Sequence, residues 1–398
     1  MRDEIHADPE QQVSYEPCDE IDLILTCVKG SVHTDNRGTL ENILRKELNW
    51  EYLYRQAERH GLIPLLYYTL KNTAPDLVPE HILSSMSEIY LASMTRAMIQ
   101  ARQLLWVIQL GKDHGIPIIP YKGVVLSQMI YGDIGLRISF DIDIIVRQHD
   151  AIQARALLAS QGYSPQTSLT PEQDKKYIQL RCEYGLSHPN QTMIDLHWQF
   201  IPWYYLEPFT ESEIWSGSKV RSFEGKDVVT LSTEMMIIAL CIHGAKHQWK
   251  KLRQISDIAG IIDSDKDINW DLVINLAREK RIERIVFLGL RLAEVFMKIG
   301  LPPGLSGTIR DDPDVRDLVS SCIDAMFIEE PDYREDIREV RYWLSVRESV
   351  RDKIRVIFLL VFIPNHDDWR YIPLPGILSP LYYIIRPVRL AFEYGAKR

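Results

Sequence analysis

Cysteine is scarce in this chain: five residues (Cys18, Cys27, Cys182, Cys241, Cys322) in 398, odd in number, scattered, and with no C-x-x-C pair. That excludes a disulfide framework and a cysteine-built structural zinc site, and it suits a reducing cytoplasm, where the protein is expected to work. Long apolar runs are lacking too. The longest lies near Val356–Pro364, far short of the ~20 residues a membrane-spanning helix needs. The third absence is an excess of positive charge: 46 Lys and Arg stand against 55 Asp and Glu, a net charge of −9. A generic grip on nucleic-acid backbones needs clustered Lys and Arg, so no nucleic-acid partner is expected. The opening MRDEIHADPEQQ is acidic and polar, unlike a secretory leader, and residues 1–17 read as a frayed tail.

What remains is an ordinary globular composition, 46% hydrophobic and 25% charged, in a chain long enough for two or three domains. Helical periodicity runs from Asp19 to His114 and includes a long helix from Pro79 to His114, whose Trp106 and Leu110 are expected in the core. LNWEYLYRQAERHGLIPLLYYTL from Leu48 and INWDLVINLAREKRIERIVFLGL from Ile268 echo each other in register. We read them as one helical packing unit used twice. The middle of the chain reads differently, as strand, Gly turn, short helix and second strand between Ile116 and Val146. A helix over His149–Gln161 follows, then strands over Tyr177–Leu186 and Thr192–Phe200 joined by the turn His188-Pro189-Asn190. Helices return from Ser232, a good N-cap, and continue through Lys250–Ile262, Trp270–Ile299 and Asp314–Glu329.

The chemistry concentrates in that middle region. Asp141 and Asp143 are two apart on a strand, so they share a face. Beside so apolar a run (Ile142, Ile144, Ile145, Val146), two carboxylates repel unless a cation lies between them, and Mg²⁺ suits one or two carboxylates plus phosphate oxygens. The later strand MIDLHWQF puts Asp195 and His197 on one face, offering a third carboxylate. With two metal ions, Asp141 and Asp143 would hold both and Asp195 the one nearest the acceptor, with Asp195 also able to take a proton. Lys122-Gly123 marks a strand-to-helix turn able to approach phosphate. Arg137 and Ser139 precede the carboxylates, and Arg137 is expected to face phosphate or Asp133. His243, Lys246 and His247 share a helix face. Without an intervening Glu, and with Lys between them, the two histidines make a poor zinc pair. Lys246 reads better as a phosphate clamp oriented by Asp257, and His197 and His243 as supporting residues.

Lys122-Gly123, Tyr131-Gly132-Asp133, Gly135, Arg137 and Asp141-Ile142-Asp143 together resemble the core of the uncharacterised nucleotidyltransferase family, within the DNA polymerase β-like superfamily. CIHGAKHQW and LRQISDIA are similar to its second block. The resemblance runs from Asn49 to Arg389, departing at Tyr121 and at the bulky Phe140, which is expected to crowd the sheet packing. It implies an α+β fold: a small mixed sheet with helices, flanked by helical domains. The expected division is an N-terminal helical domain over 1–114, a nucleotidyltransferase core over 115–231, a helical domain over 232–340 and a basic, apolar C-terminal cap over 341–398. It further implies an NTP donor such as ATP, two Mg²⁺ ions (Mn²⁺ as substitute) and a small-molecule or peptide acceptor, as in peptide natural-product tailoring. A transferase using a nucleotide-sugar donor, and a non-catalytic nucleotide-binding or toxin–antitoxin partner, are the alternatives. The C-terminal tail could also anchor on a membrane surface, but its prolines and broken periodicity favour a packed cap.

Overall fold

The computed structural model describes residues 18–30, 37–166, 170–202, 205, 207–327, 335–364, 368, 372, 374 and 376–395, so the tail over 1–17 lies outside the described residues. The N-terminal part is helical: α1 (Asp19–Gly30), α2 (Arg37–Leu44), α3 (Trp50–His60), α4 (Ile63–Thr73) and α5 (Glu80–Asp113). The central part contains β1 (Ile119–Pro120), α6 (Gly123–Tyr131), β2 (Asp141–Ile145), α7 (Ala151–Ser160), β3 (Ser164–Pro165), α8 (Pro171–Leu180), β4 (Glu183–His188) and β5 (Gln191–His197). It closes with α9 (Glu211–Trp215) and the hairpin β6 (Lys219–Phe223) and β7 (Lys226–Thr230). Then come α10 (Thr233–Lys246), α11 (Leu252–Ser264), α12 (Trp270–Glu279), α13 (Glu283–Met297), α14 (Pro303–Asp311) and α15 (Pro313–Met326). The last described helices are α16 (Glu335–Ser345), α17 (Val350–Phe362) and α18 (Tyr382–Gly395).

The main sheet has five strands in the order β1-β2-β5-β4-β3. Only β2 and β5 are parallel; the other neighbours are antiparallel. The fold is therefore α+β, a small mixed sheet among many helices. The N-terminal and C-terminal helices share one apolar core, reaching from Ile21 and Leu53 to Ile285, Phe296 and Trp343. The sheet builds a second core with Ile142, Ile144, Ile194, Leu196 and Trp198. α5 serves both: Ile82 and Met86 enter the first, and Ala97, Leu104 and Val107 the second. At 34 residues it is about 51 Å long at 1.5 Å per residue, enough to span the two.

The echoed segments fold alike. Asn49 and Asn269 cap α3 and α12 by accepting the N–H of Tyr52 and Leu272, each at 3.0 Å. Both helices end in a left-handed residue, Gly61 (φ 71°) and Arg281 (φ 54°), and the chain turns back with N–H bonds of 2.8 Å from Leu62 to Ala57 and from Ile282 to Ala277. Three expectations are corrected. Tyr177–Leu180 is helical, because Thr170 and Gln173 form a capping box with Pro171 at the first turn of α8. Trp270–Ile299 is two helices broken at Arg281, and Trp106 faces outward at 37% exposure, leaving Val107 and Leu104 to fill the core.

His60 ties the first unit to the helices beyond the sheet. Its Nδ1 accepts the backbone N–H of Leu252 at 3.2 Å, opening α11, and it is fully buried. Burial, with help from Arg59 and Lys251, pushes its pKa down to about 3. Below pH ~6.5 the unfolded chain binds a proton that folded His60 refuses, so stability falls as pH drops through that window. Denaturant unfolding between pH 4 and 6 should show His60→Gln with a pH slope shallower than the parent's by about one proton, ~1.4 kcal/mol per pH unit at most. Equal slopes would remove His60 as the acid-labile joint.

Candidate active site

α6 starts where the backbone leaves β1 through Tyr121 and Lys122. Gly123 has φ 61°, a left-handed conformation that favours glycine, and Gly132 ends the helix at φ 69°. The loop that follows is fixed from inside: Ser127 Oγ donates to Asp133 O at 2.7 Å and accepts the Arg137 N–H at 3.2 Å. Asp133 itself accepts the N–H of Gly135 at 2.8 Å. The Arg253 guanidinium bonds Ile138 O. β2 then begins at Asp141.

Two glutamines on α5 hold the start of both parallel strands. Gln100 Nε2 reaches Ser139 O and Asp141 O at 3.3 and 3.4 Å. Gln103 exchanges two 3.0 Å bonds with the backbone of Thr192. The resulting register places Asp143 opposite Asp195, Asp141 opposite Met193 and Ile145 opposite His197. Parallel partners point to one side, so all three acids and His197 share a face. These glutamines were not picked out as functional from the sequence; the signal was two buried amides one turn apart in an otherwise apolar stripe.

Across that face runs an alternating chain of charges. Lys122 Nζ lies 2.8 Å from Asp143 Oδ1, and the same oxygen is 3.1 Å from His197 Nε2. His197 Nδ1 lies 3.0 Å from Glu183 Oε2, and Lys246 Nζ donates to Glu183 Oε1 at 3.2 Å. Burial opposes charge on His197, but Glu183 and Asp143 outweigh it and raise its pKa to about 9. Burial likewise opposes ionisation of Asp143 and Glu183. Lys122 and His197 hold Asp143 far below the usual carboxylate range, and His197 and Lys246 do the same for Glu183. Tyr121 closes the network edge-on against the His197 ring at 5.3 Å.

Asp195 stands outside this pairing. Among the described residues its carboxylate makes no hydrogen bond or ion pair. Burial, together with the like charges of Asp143, Glu183 and Asp141 and against the pull of His197, pushes its pKa up to about 6. Ligand atoms of Asp143, Asp195 and His197 lie within 4.8 Å of one another. Asp141 does not join that group; its Oδ1 is 3.3 Å from Ser139 Oγ, and it lines the adjoining cleft. A half-buried carboxylate with only like-charged or already paired neighbours fits a divalent cation, and the carboxylate oxygens of Asp143 and Asp195 fit a hard one such as Mg²⁺. His197 fits less well as a ligand, since Glu183 and Asp143 hold it protonated and its Nε2 already lies on Asp143.

The cleft beside these acids has a volume of about 460 Å³ and carries Lys122, Arg137 and Asp141 on one side and Lys246, Lys251 and Arg253 on the other. Ser139, Asp143, His243 and His247 also line it. Gly123, Asp195, His197 and Asp257 lie outside the lining; Gly123 shapes the turn, and Asp257 acts through Arg137. Arg137 makes a buried bidentate pair with Asp257, Nε–Oδ1 2.8 Å and Nη2–Oδ2 2.9 Å. This corrects two expectations: Asp257 orients Arg137, and Lys246 is oriented by Glu183. Arg137 does not meet Asp133, whose carboxylate caps the Gly135 turn. Phe140 does not crowd the sheet either; it is 66% exposed at the cleft mouth, with the Arg96 guanidinium 4.6 Å over its ring. His243 and His247 stand edge to face at 4.7 Å. Burial and neighbouring cations, Lys122 for His243 and Lys246 for His247, keep both neutral, His247 at about 4. Among the described residues no third metal-ligating side chain joins them.

No curated protein matches the chain. One similar solved structure is the lincomycin-bound lincosamide antibiotic adenylyltransferase LnuA, 13% identical, covering 41% of this chain and 97% of that one with a TM-score of 0.30. The sequence model of a family described as uncharacterised nucleotidyltransferase matches residues 46–298. That span runs from the cap of α3 through the sheet, the cleft and the whole of α13, well over half the chain, and the protein therefore belongs to the uncharacterised nucleotidyltransferase family.

Proposed function

We propose that the chain moves a nucleoside monophosphate from an NTP, ATP among them, to a hydroxyl or phosphate of a small-molecule or peptide acceptor. The observation that carries this reading is the parallel register of Asp143 with Asp195 beside a cleft walled by Arg137, Lys246, Lys251 and Arg253. Family membership supports nucleotidyl transfer in general; the donor, the acceptor and Mg²⁺ dependence are our assignment.

Asp141, Asp143 and Asp195 would hold Mg²⁺, which when bound supplies charge neutralisation at the triphosphate and a more acidic acceptor hydroxyl. Every other part of the step falls to side chains of the chain. Lys246, held by Glu183, and Arg137, held by Asp257, face the cleft as fixed cations for the phosphates, which saves reorganisation in the transition state. Lys122 neutralises Asp143 and lies where the chain enters the helix N-terminus. The acceptor oxygen attacks the α-phosphorus in line, the bond from that phosphorus to the β-bridging oxygen breaks, and pyrophosphate leaves. The acceptor proton passes to a carboxylate oxygen of Asp195.

Three variants bear on this. Asp141 is partly exposed and outside the paired network, so Asp141→Asn should keep the far-UV and thermal profile of the parent. The same variant should lose Mg²⁺-dependent NTP binding by about tenfold or more in calorimetry; undiminished binding would refute the metal assignment. Asp195→Asn removes the one carboxylate repelled by its neighbours. Without Mg²⁺ it should therefore raise stability by about 1–3 kcal/mol in urea unfolding, while transfer to any acceptor found by mass spectrometry falls by about 10²-fold or more. A destabilised variant would show that Asp195 is paired after all. Lys246→Met should weaken triphosphate binding more than monophosphate binding, by about tenfold, since its charge would contact the outer phosphates. An equal loss for both nucleotides would move Lys246 away from that role.

A further inference from the structure

Half of the large apolar side chains exposed among the described residues, 12 of 24, fall between Val350 and Phe392. They are not scattered. On α17, Val350, Ile354, Ile357, Phe358 and Phe362 recur at helical spacing on one exposed stripe. On α18, Ile384, Val388 and Phe392 do the same, following Leu381 just before its start, with Ile354, Ile384 and Phe392 at 63%, 66% and 75% exposure. The two helices pack on each other. The sequence expectation of a packed cap thus meets two amphipathic helices whose apolar stripes face outward.

The polar side of α18 is what faces inward. Asp368 is fully buried and accepts Arg386 Nη1 and Arg389 Nε, each at 2.8 Å. Tyr382 Oη donates to Ile372 O at 2.7 Å and accepts the Leu374 N–H at 2.8 Å. These bonds tie α18 by its polar side to the segment before it and so leave its apolar stripe outward. Exposure here is therefore built in by specific pairing.

We propose that α17 and α18 lie flat on an anionic lipid surface, their apolar stripes entering the headgroup boundary. Charge selects this occupant. Residues 341–398 carry ten Lys and Arg against five Asp and Glu, while residues 1–340 carry 36 against 50. A basic, apolar tail on an acidic body matches a negative leaflet and turns the acidic body away from it. No described helix is long and apolar enough to cross a membrane, so these two rest on it. Tyr383, half-exposed beside Ile384, suits the headgroup depth. This surface is independent of the cleft chemistry.

The test is flotation of the full chain with vesicles of phosphatidylcholine alone and of phosphatidylcholine mixed with phosphatidylglycerol. The protein should float with the mixed vesicles, less so as salt rises, and not with the neutral ones. The double variant Ile354→Glu, Ile384→Glu should lose bound fraction by about tenfold or more, whereas Leu91→Glu, at an exposed leucine on α5, should not. No flotation, equal flotation with neutral vesicles, or an unaffected double variant would each overturn the proposal. So would a concentration-dependent dimer in sedimentation, abolished by the same double variant, which would give this face to a second copy of the chain.

Discussion

Everything at the site depends on one backbone fact: β2 and β5 run parallel with Asp143 opposite Asp195. Two acids so placed cannot both be left ionised and unaccompanied in a half-buried sheet. The fold answers by threading cations between anions, from Lys122 through Asp143, His197 and Glu183 to Lys246. Each member is both partner and constraint, so the side chains have little freedom left, and the residual negative charge is concentrated on Asp195 and Asp141. Burial of charge is costly, and a network in which each charge has an opposite neighbour tolerates it where an isolated charge would not.

The register itself is secured from a distance. Gln100 and Gln103 are on α5, which also spans the two apolar cores, so the position of the acids is referenced to a rigid element of the helical body. The loop ahead of β2 is tied down by Ser127, Asp133 and Arg253 before the strand starts. The acids therefore sit on scaffold, while the cations that face them come from α10 and α11 and the loop between.

Much of this was readable from the residues. The pair Asp141 and Asp143, the face shared by Asp195 and His197, and the facing of His243, Lys246 and His247 all follow from periods of two and 3.6, which local sequence fixes. Two of the misses have one physical origin, pairing between elements. Glu183 was invisible because the hairpin contains an irregularity: His188 pairs with Gln191, but from Leu186 onward the register shifts by one residue, so Glu183 meets His197. Continued without that shift, the pairing would put Glu183 opposite Leu196, on the apolar face. Asp257 was given the wrong partner because helical spacing tells which residues share a face and not which neighbour that face meets. Trp106 was misplaced for another reason: the buried positions Ile82, Met86, Ala97, Leu104, Val107 and Gly111 keep one side of α5 along its whole length, and Trp106 lies off that stripe.

The turn from α10 into α11 has a consequence for motion. Gln248 and Trp249 both adopt left-handed backbone, φ 52° and 56°, unusual for residues with side chains. The Trp249 ring is fully buried, and a Cβ on Gly244 or Gly289 would come within 2.2 or 2.8 Å of it. The indole thus works as a dowel through α10 and α13. The cationic wall has no local hinge there, and any narrowing of the cleft around a ligand must carry those helices along as a single rigid jaw.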